Sequence, residues 1–383
     1  MMTQEVATES DVDRLGRRIA ALEAHLRRAR EDSAACDLEL AAVRDRPAIA
    51  GHATGAGCAR FAAGFGKESL SFYRPAQDLL ISNIGIGTSR GATDARTDAR
   101  YAEALEAALR GGINLIDTSL NYRLQRSECA VGTALRRFLA NGKGRRDGIV
   151  VCSKGGYLVP GAISPDSLPA ADTAFGFHAM SPAFLADQLE RSRRNLGLET
   201  IDVYYLHNPE VERPFLGAAD FRKRLRRAFA QLERCVTEGR IRYYGIATWS
   251  GFQTGVLSLS SLLTDARSVG GAGHRLRFLQ LPVNLGMLDP ATTACEDGRT
   301  LLEAAADAGI TVVASASLAF ADRASENAAI LPGSNNSVLR AIQSVRSTPG
   351  IASALVGMGR KAHVLENLSL AKIAPAGPAP KSA

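Results

Sequence analysis

From Leu79 onward, short apolar runs alternate with segments whose apolar residues recur every three or four positions. The short runs span 79–86, 113–117, 149–153, 201–206, 241–247, 278–283, 310–314 and 351–356. Each is rich in apolar or β-branched residues, as strands buried on both faces are. The segments between them, at 97–110, 126–140, 181–196, 219–238, 252–264, 299–308, 335–347 and 361–371, have the periodicity of amphipathic helices. Eight strand–helix units in succession predict an α/β fold, a (β/α)8 TIM barrel over residues 79–372. A doubly wound open sheet is the competing architecture. No GxGxxG follows the first strand, and the count of eight favours the barrel.

The chain before the barrel has a different rhythm. Val12, Leu15, Ile19, Leu22, Leu26, Ala29, Ser33, Cys36, Leu40 and Val43 follow one another at spacings of three and four, with Arg and Glu on the flanks. This is the a/d seam of a coiled coil. It predicts an N-terminal helical, coiled-coil-like extension over 1–48 and self-association into a homo-oligomer through it. The alternative is a single amphipathic helix lying on the barrel. Residues 49–78, rich in Gly and Ala without a period, read as a linker, and 373–383 as a flexible tail.

Composition narrows the function classes. No run reaches the ~18–20 apolar residues that span a bilayer, so no membrane partner is expected. Glu5, Glu9 and Asp11 are unlike the start of a signal peptide or a transit peptide. The six cysteines form no CxxC pair and have no His cluster nearby, which points to reduced thiols, no metal site and a cytoplasmic location. The formal net charge is +7, and the run from Arg222 to Arg227 contributes much of it. Phe221, Leu225 and Phe229 are spaced by four through that run, so it reads as a solvated helix face and no nucleic-acid partner is expected.

In a TIM barrel the chemistry collects at the carboxyl ends of the strands. Three consecutive predicted strands end in Asp117, Lys154 and His207, and Tyr122 follows the first of them. Singly, each has a bland explanation: a helix cap, a solvated loop lysine, a packed rim tyrosine, a structural histidine. Together on one rim they are costly to desolvate unless they pair. They also suit one reaction. Reducing a carbonyl needs a proton donor at the developing alkoxide. A lysine beside a tyrosine stabilises its phenolate and lowers its pKa, and a carboxylate holds the lysine charged. A histidine N–H can orient and polarise the carbonyl. The hydride must come from a cofactor.

These blocks resemble the aldo-keto reductase superfamily over residues ~79–370. The resemblance rests on Gly112 to Thr118, Asn121-Tyr122, Arg126-Ser127-Glu128, Val151 to Gly155, Leu206 to Pro209, and Gly239 to Arg242. It implies Tyr122 as proton donor, Lys154 and Asp117 as its tuning pair, and His207 as the carbonyl-orienting group. It also implies a small-molecule carbonyl substrate and a nicotinamide cofactor on the carboxyl rim, NADPH in preference to NADH, without a Rossmann motif.

The cofactor positions follow the family pattern less closely. Thr248 stands where a Ser-Asn pair is common, Gln280 is kept to meet the carboxamide, and Ser315 replaces an aromatic that stacks on the nicotinamide. Trp249 is a candidate substitute. Leu318 and Gly357 are expected at the same site. Arg360, Lys361 and His363 are expected at the adenosine phosphate, with Glu366 and Asn367 at the adenine. The pocket walls are expected from 157–180 and 208–217, with Phe175, Phe177, His178 and Phe215 as candidates. A lyase, dehydratase or isomerase on the same tetrad, or a regulatory or scaffold subunit, stay open beside the reductase. If the heptad mediates self-association, deleting residues 1–48 lowers the number of subunits per particle in light scattering and leaves a folded barrel; an unchanged number of subunits contradicts it.

Overall fold

The computed structural model describes residues 40–41, 44–66, 71–140, 142, 144–159, 168, 172–173, 176–322 and 330–376. Helix α1 (Gly55–Ala63) and the antiparallel hairpin of β1 (Tyr73–Ala76) and β2 (Leu79–Ser82) precede the barrel. The barrel strands are β3 (Ile84–Gly87), β4 (Leu115–Asp117), β5 (Val150–Gly155), β6 (Ile201–His207), β7 (Ile241–Ala247) and β8 (Leu276–Pro282). After a short helix α7 (Asp289–Thr292) and a second small hairpin, β9 (Ala294–Glu296) and β10 (Arg299–Thr300), come β11 (Thr311–Ser315) and β12 (Ile351–Gly357). The eight barrel strands pair in parallel and close, with β12 against β3. The outer helices are α2 (Ala95–Arg110), α3 (Arg126–Ala140), α4 (Pro182–Leu196), α5 (Ala218–Thr237), α6 (Leu259–Gly270), α8 (Leu301–Asp307), α9 (Ser337–Ser347) and α10 (Lys361–Asn367). The predicted TIM barrel is therefore the observed fold.

Side chains sort by the two-residue period of a strand. Along β6, Val203 and Tyr205 point inward, while Tyr204 and Leu206 pack outward on the helices. The inward layer also holds Leu115, Val150, Cys152, Phe278 and Val313. Ala76, Leu79 and Ile81 of the hairpin join that cluster and plug the amino end. Each fully buried Leu or Ile there is worth roughly 1.5–3 kcal/mol.

Two expectations change. The first predicted strand is two: Asn83 breaks it, with its N–H on Phe72 O and its Nδ2 on Ser71 O, so the hairpin ends there and the barrel begins. The stretch expected to be a linker also carries α1 and β1. Two of its glycines serve close packing, because a Cβ at Gly55 would lie 2.5 Å from Asp78 O and one at Gly57 2.1 Å from Asp147 O. Most of the heptad lies outside the described residues. At Leu40, a seam position, the side chain is buried at a cleft shared with Ala102, Cys129 and Thr133. Arg44 follows it, with Nε donating to Asn195 Oδ1 at 2.7 Å. The basic run lies on α5, where Arg222 and Arg226 pair with Asp265 and Arg224 pairs with Glu212. No helix among the described residues is long and apolar enough to cross a membrane.

One buried carboxylate ties the amino-end layer to the barrel. Asp202 Oδ1 accepts from Ala53 N at 2.7 Å, and Oδ2 accepts from Val151 N at 2.9 Å and from Arg146 at 2.8 Å. Removing it leaves the Arg146 charge buried without its partner. Asp202→Ala is expected to lower the unfolding free energy by about 3–5 kcal/mol in urea titration; a loss below ~1 kcal/mol contradicts this role.

Candidate active site

The barrel delivers the predicted tetrad to one rim. Asp117 ends β4, Lys154 is next to last in β5, and His207 ends β6. Lys154 Nζ donates to Asp117 Oδ2 at 2.6 Å and to Thr118 O at 2.8 Å, with no more than 6% of either charged side chain exposed. The same Nζ lies 4.8 Å from the centroid of the Tyr122 ring. Tyr122 in turn stands edge-on to His207, centroids 5.9 Å apart.

Burial opposes the Lys154 charge, but the carboxylate of Asp117 and the Tyr122 hydroxyl more than offset it, and its pKa is raised. At Tyr122 the expected lowering by Lys154 is present, yet desolvation is larger. The net pKa is raised, so the phenol keeps its proton. Burial, then the Lys154 charge, then His178, hold His207 well below the usual imidazole range. The site therefore combines a phenol, a neutral imidazole and a paired ammonium.

The turn that presents Tyr122 is strained. Arg123, Leu124 and Gln125 follow it with φ of 50°, 52° and 72°, a left-handed conformation costing ~1–2 kcal/mol per residue. It is clamped from α2: Asp98 takes Arg123 Nη2 and Arg126 Nη1, each at 2.6 Å, and Arg123 Nε donates to Ala92 O. Ser127 donates to Thr88 O at 2.7 Å, tying α3 to the loop after β3. Glu128, fully buried, accepts from Ser153 at 2.5 Å and Asn195 at 2.8 Å; burial raises its pKa. The Arg-Ser-Glu block is thus scaffolding beneath the site.

Asp117, Tyr122, His207, Thr248, Gln280, Ser315, Leu318 and Gly357 line one cleft of about 450 Å³, with Lys154 buried beneath it. Gln280 Nε2 donates to Asp117 Oδ1 at 2.7 Å, so its amide nitrogen steadies the carboxylate. Thr248 Oγ1 accepts from Gly251 N at 2.9 Å. Arg360, Lys361, His363 and Glu366 do not line that cleft; they are exposed around the start of α10, beyond Gly357. Lys361 Nζ lies 3.9 Å from Glu103, and Glu366 accepts from Asn336 at 2.6 Å. Asn367 is buried, and its Oδ1 has no hydrogen-bond partner among the described residues.

Phe177 and Phe215 are exposed on rim loops, as are Trp249 and Phe320. His178 is not a wall. It is fully buried, with Nδ1 2.8 Å from Glu212 Oε1 and Nε2 2.8 Å from the carbonyl oxygen of His207, and it braces the end of β6. Phe175 lies outside the described residues. Asn208, at the start of the expected wall 208–217, lines the cleft; sequence reasoning did not single out Thr88, Ser89 and Arg90, which line it too. The polar triplet directly after an apolar strand was the available signal for these three. Ser119 was missed as well; its hydroxyl reaches His207 Nδ1 at 3.2 Å, a contact only the folded rim creates. Among the described residues, no group of three or more His, Cys, Asp or Glu could hold a metal ion.

The chain is 29% identical over 175 residues to the aldo-keto reductase YhdN of Bacillus subtilis, covering 44% of each chain. It is 30% identical over 185 residues to a D-threo-aldose 1-dehydrogenase of a Pseudomonas species, covering 45% of this chain and 52% of that one. The chain thus spans about half the length of the curated relatives it matches. An aldo/keto reductase of Klebsiella pneumoniae, solved in complex with NADP and acetate, shares the fold with a TM-score of 0.58 at 21% identity, covering 82% of this chain and 97% of that one. The sequence model of the Aldo/keto reductase family matches residues 83–340, well over half of the chain, and the protein belongs to that family.

Proposed function

We propose that this protein reduces an aldehyde or ketone to an alcohol with NAD(P)H, with Tyr122 as the proton donor. The observation that carries this reading is the buried Lys154–Asp117 pair beside the Tyr122 ring, in a cleft that His207 shares. Carbonyl reduction adds a hydride to carbon and a proton to oxygen. Tyr122, kept protonated by burial, holds that proton. The Lys154 ammonium stabilises the phenolate left behind, and Asp117 keeps the ammonium in place. Gln280 fixes the second carboxylate oxygen. His207 orients the substrate through Nε2, the ring nitrogen not engaged by Ser119.

The residues fit a nicotinamide cofactor. Arg360, Lys361 and His363 place three basic side chains together, suited to a phosphate and favouring NADPH over NADH. The unpaired Oδ1 of Asn367 is a buried acceptor suited to an adenine amino group. Thr248, Ser315, Leu318 and Gly357 line the inner cleft, and Trp249, 56% exposed, is the aromatic available where Ser315 offers no ring. When bound, the cofactor supplies the hydride that no side chain can.

Tyr122→Phe is expected to cut carbonyl-dependent NADPH oxidation by about 10²–10⁴-fold while cofactor affinity, read by fluorescence quenching, changes only a few-fold. Full activity in that variant would sink the mechanism. His207 has a folded-state pKa below its unfolded value of 6.5, so the unfolded state binds more protons as pH falls. Its contribution to stability is fully present above pH 6.5 and is lost as pH drops toward the folded pKa. Urea titrations below that pH should therefore show a shallower acid loss for His207→Gln than for the parent; parallel curves contradict this.

A further inference from the structure

Left-handed residues in series persist only where their surroundings over-determine them. In the turn after Tyr122, Arg123 is gripped by Asp98, and Leu124 packs on Leu120 and Val159. Gln125, buried, takes its anchor from outside the barrel. Its Oε1 accepts from Arg44 Nη2 at 3.2 Å and from Asn195 Nδ2 at 3.3 Å. Arg44 Nε also donates to Asn195 Oδ1 at 2.7 Å. The Asn195 amide is oriented from both ends: a guanidinium can only donate to one, and Glu128 accepts from the other at 2.8 Å. Glu128 Oε1 in turn accepts from the hydroxyl of Ser153, the residue before Lys154. Burial raises the Glu128 pKa, and its hydrogen bonds and the Arg44 charge oppose that rise.

Arg44 is itself held in place. It stands four residues after Leu40 in helical backbone, so the two share a face. Leu40 is buried at the cleft of about 160 Å³ between α2 and α3. Downstream, Ile49 N donates to Gly197 O at 2.8 Å, just beyond the end of α4. This whole segment precedes residue 83, where the match to the family begins.

We propose that Arg44 is a positioning residue for Tyr122: from ahead of the family match it holds Gln125 and Asn195, and through them the turn that carries the proton donor. The catalytic half of this rests on the reductase reading above. Arg44 does not line the cleft and touches no reacting atom. Its planar fork serves two acceptors on different elements at once, which the point charge of a lysine does not reproduce.

Hydrogen exchange of the full chain, read by mass spectrometry, tests the structural half. The reporting amides are Tyr122 N–H on Ser119 O, Arg126 N–H on Arg123 O and Cys129 N–H on Gln125 O. Arg44→Ala is expected to speed exchange in peptides covering 119–129 by about tenfold, the worth of a hydrogen bond to a charged group, with β8 across the barrel unchanged. A turn that exchanges at the parent rate overturns the proposal. So does an equal rise throughout the barrel, which is a general loss of stability. Should Arg44→Ala not fold, Gln125→Ala, which leaves Arg44 on Asn195, is read at the same amides against the same two outcomes.

Kinetics separate positioning from charge. In Arg44→Ala, kcat for carbonyl reduction is expected to fall by about ten- to hundredfold, while cofactor affinity by fluorescence quenching stays within about twofold. Arg44→Lys keeps the charge without the fork and is expected to remain close to Arg44→Ala. Full recovery by lysine, an unchanged kcat, or a loss confined to KM overturns the catalytic half. If the parent reduces no carbonyl, the reductase reading and this half fall together, while hydrogen exchange still decides whether Arg44 holds the turn.

Discussion

The Lys154 ammonium is cut off from water, and it remains a cation there because Asp117 lies 2.6 Å away. Burying two ions costs several kcal/mol each, which such a pair recovers only when the remaining lone pairs and protons are also satisfied. The surroundings meet that condition. Thr118 O accepts a second proton of Lys154, and Gln280 occupies the second oxygen of Asp117. The pair spans β4 and β5, and Gln280 reaches it from β8 across the barrel mouth. The position of the charge therefore depends on closure of the whole sheet. A barrel open at any seam would leave a buried charge without its partners.

That closure is secured from the amino end. The hairpin inserts Leu79 and Ile81 beneath the inward layer, and α1 packs so closely that Gly57 has no room for a side chain. Asp202 joins this layer to β5 and to Arg146 with three short hydrogen bonds. The two ends of the barrel divide the work. One is sealed by apolar contacts and a buried ion pair, and the other holds polar groups in the cleft with few protein partners.

At the carboxyl end the rigidity is local and stored in the backbone. Three left-handed residues after Tyr122 are tolerated because Asp98 grips Arg123 and Arg126 together. A second brace, His178 held by Glu212, which itself pairs with Arg224, fixes the carbonyl of His207. Neither brace touches the cleft with its charged groups. Both hold the tyrosine and the imidazole in register above a charge that cannot move.

The eight-unit barrel and the tetrad were legible in the chain because both rest on local rules. Apolar period separates strand from helix, and strand ends carry the chemistry of a barrel rim. The linker was misread because glycines that permit close packing have the same composition as glycines that permit flexibility. The strand at 79–86 was misread because only Asn83, bonded to Phe72 and Ser71, divides it. The cleft was legible as a set of residue types, but not in its pairings: nothing local says that Gln280 serves Asp117 or that His178 lies beneath the cleft. The residue order thus determined which groups reach the rim. Tertiary structure alone decided their protonation and their partners, because desolvation and hydrogen-bond competition exist only once distant strands are brought together.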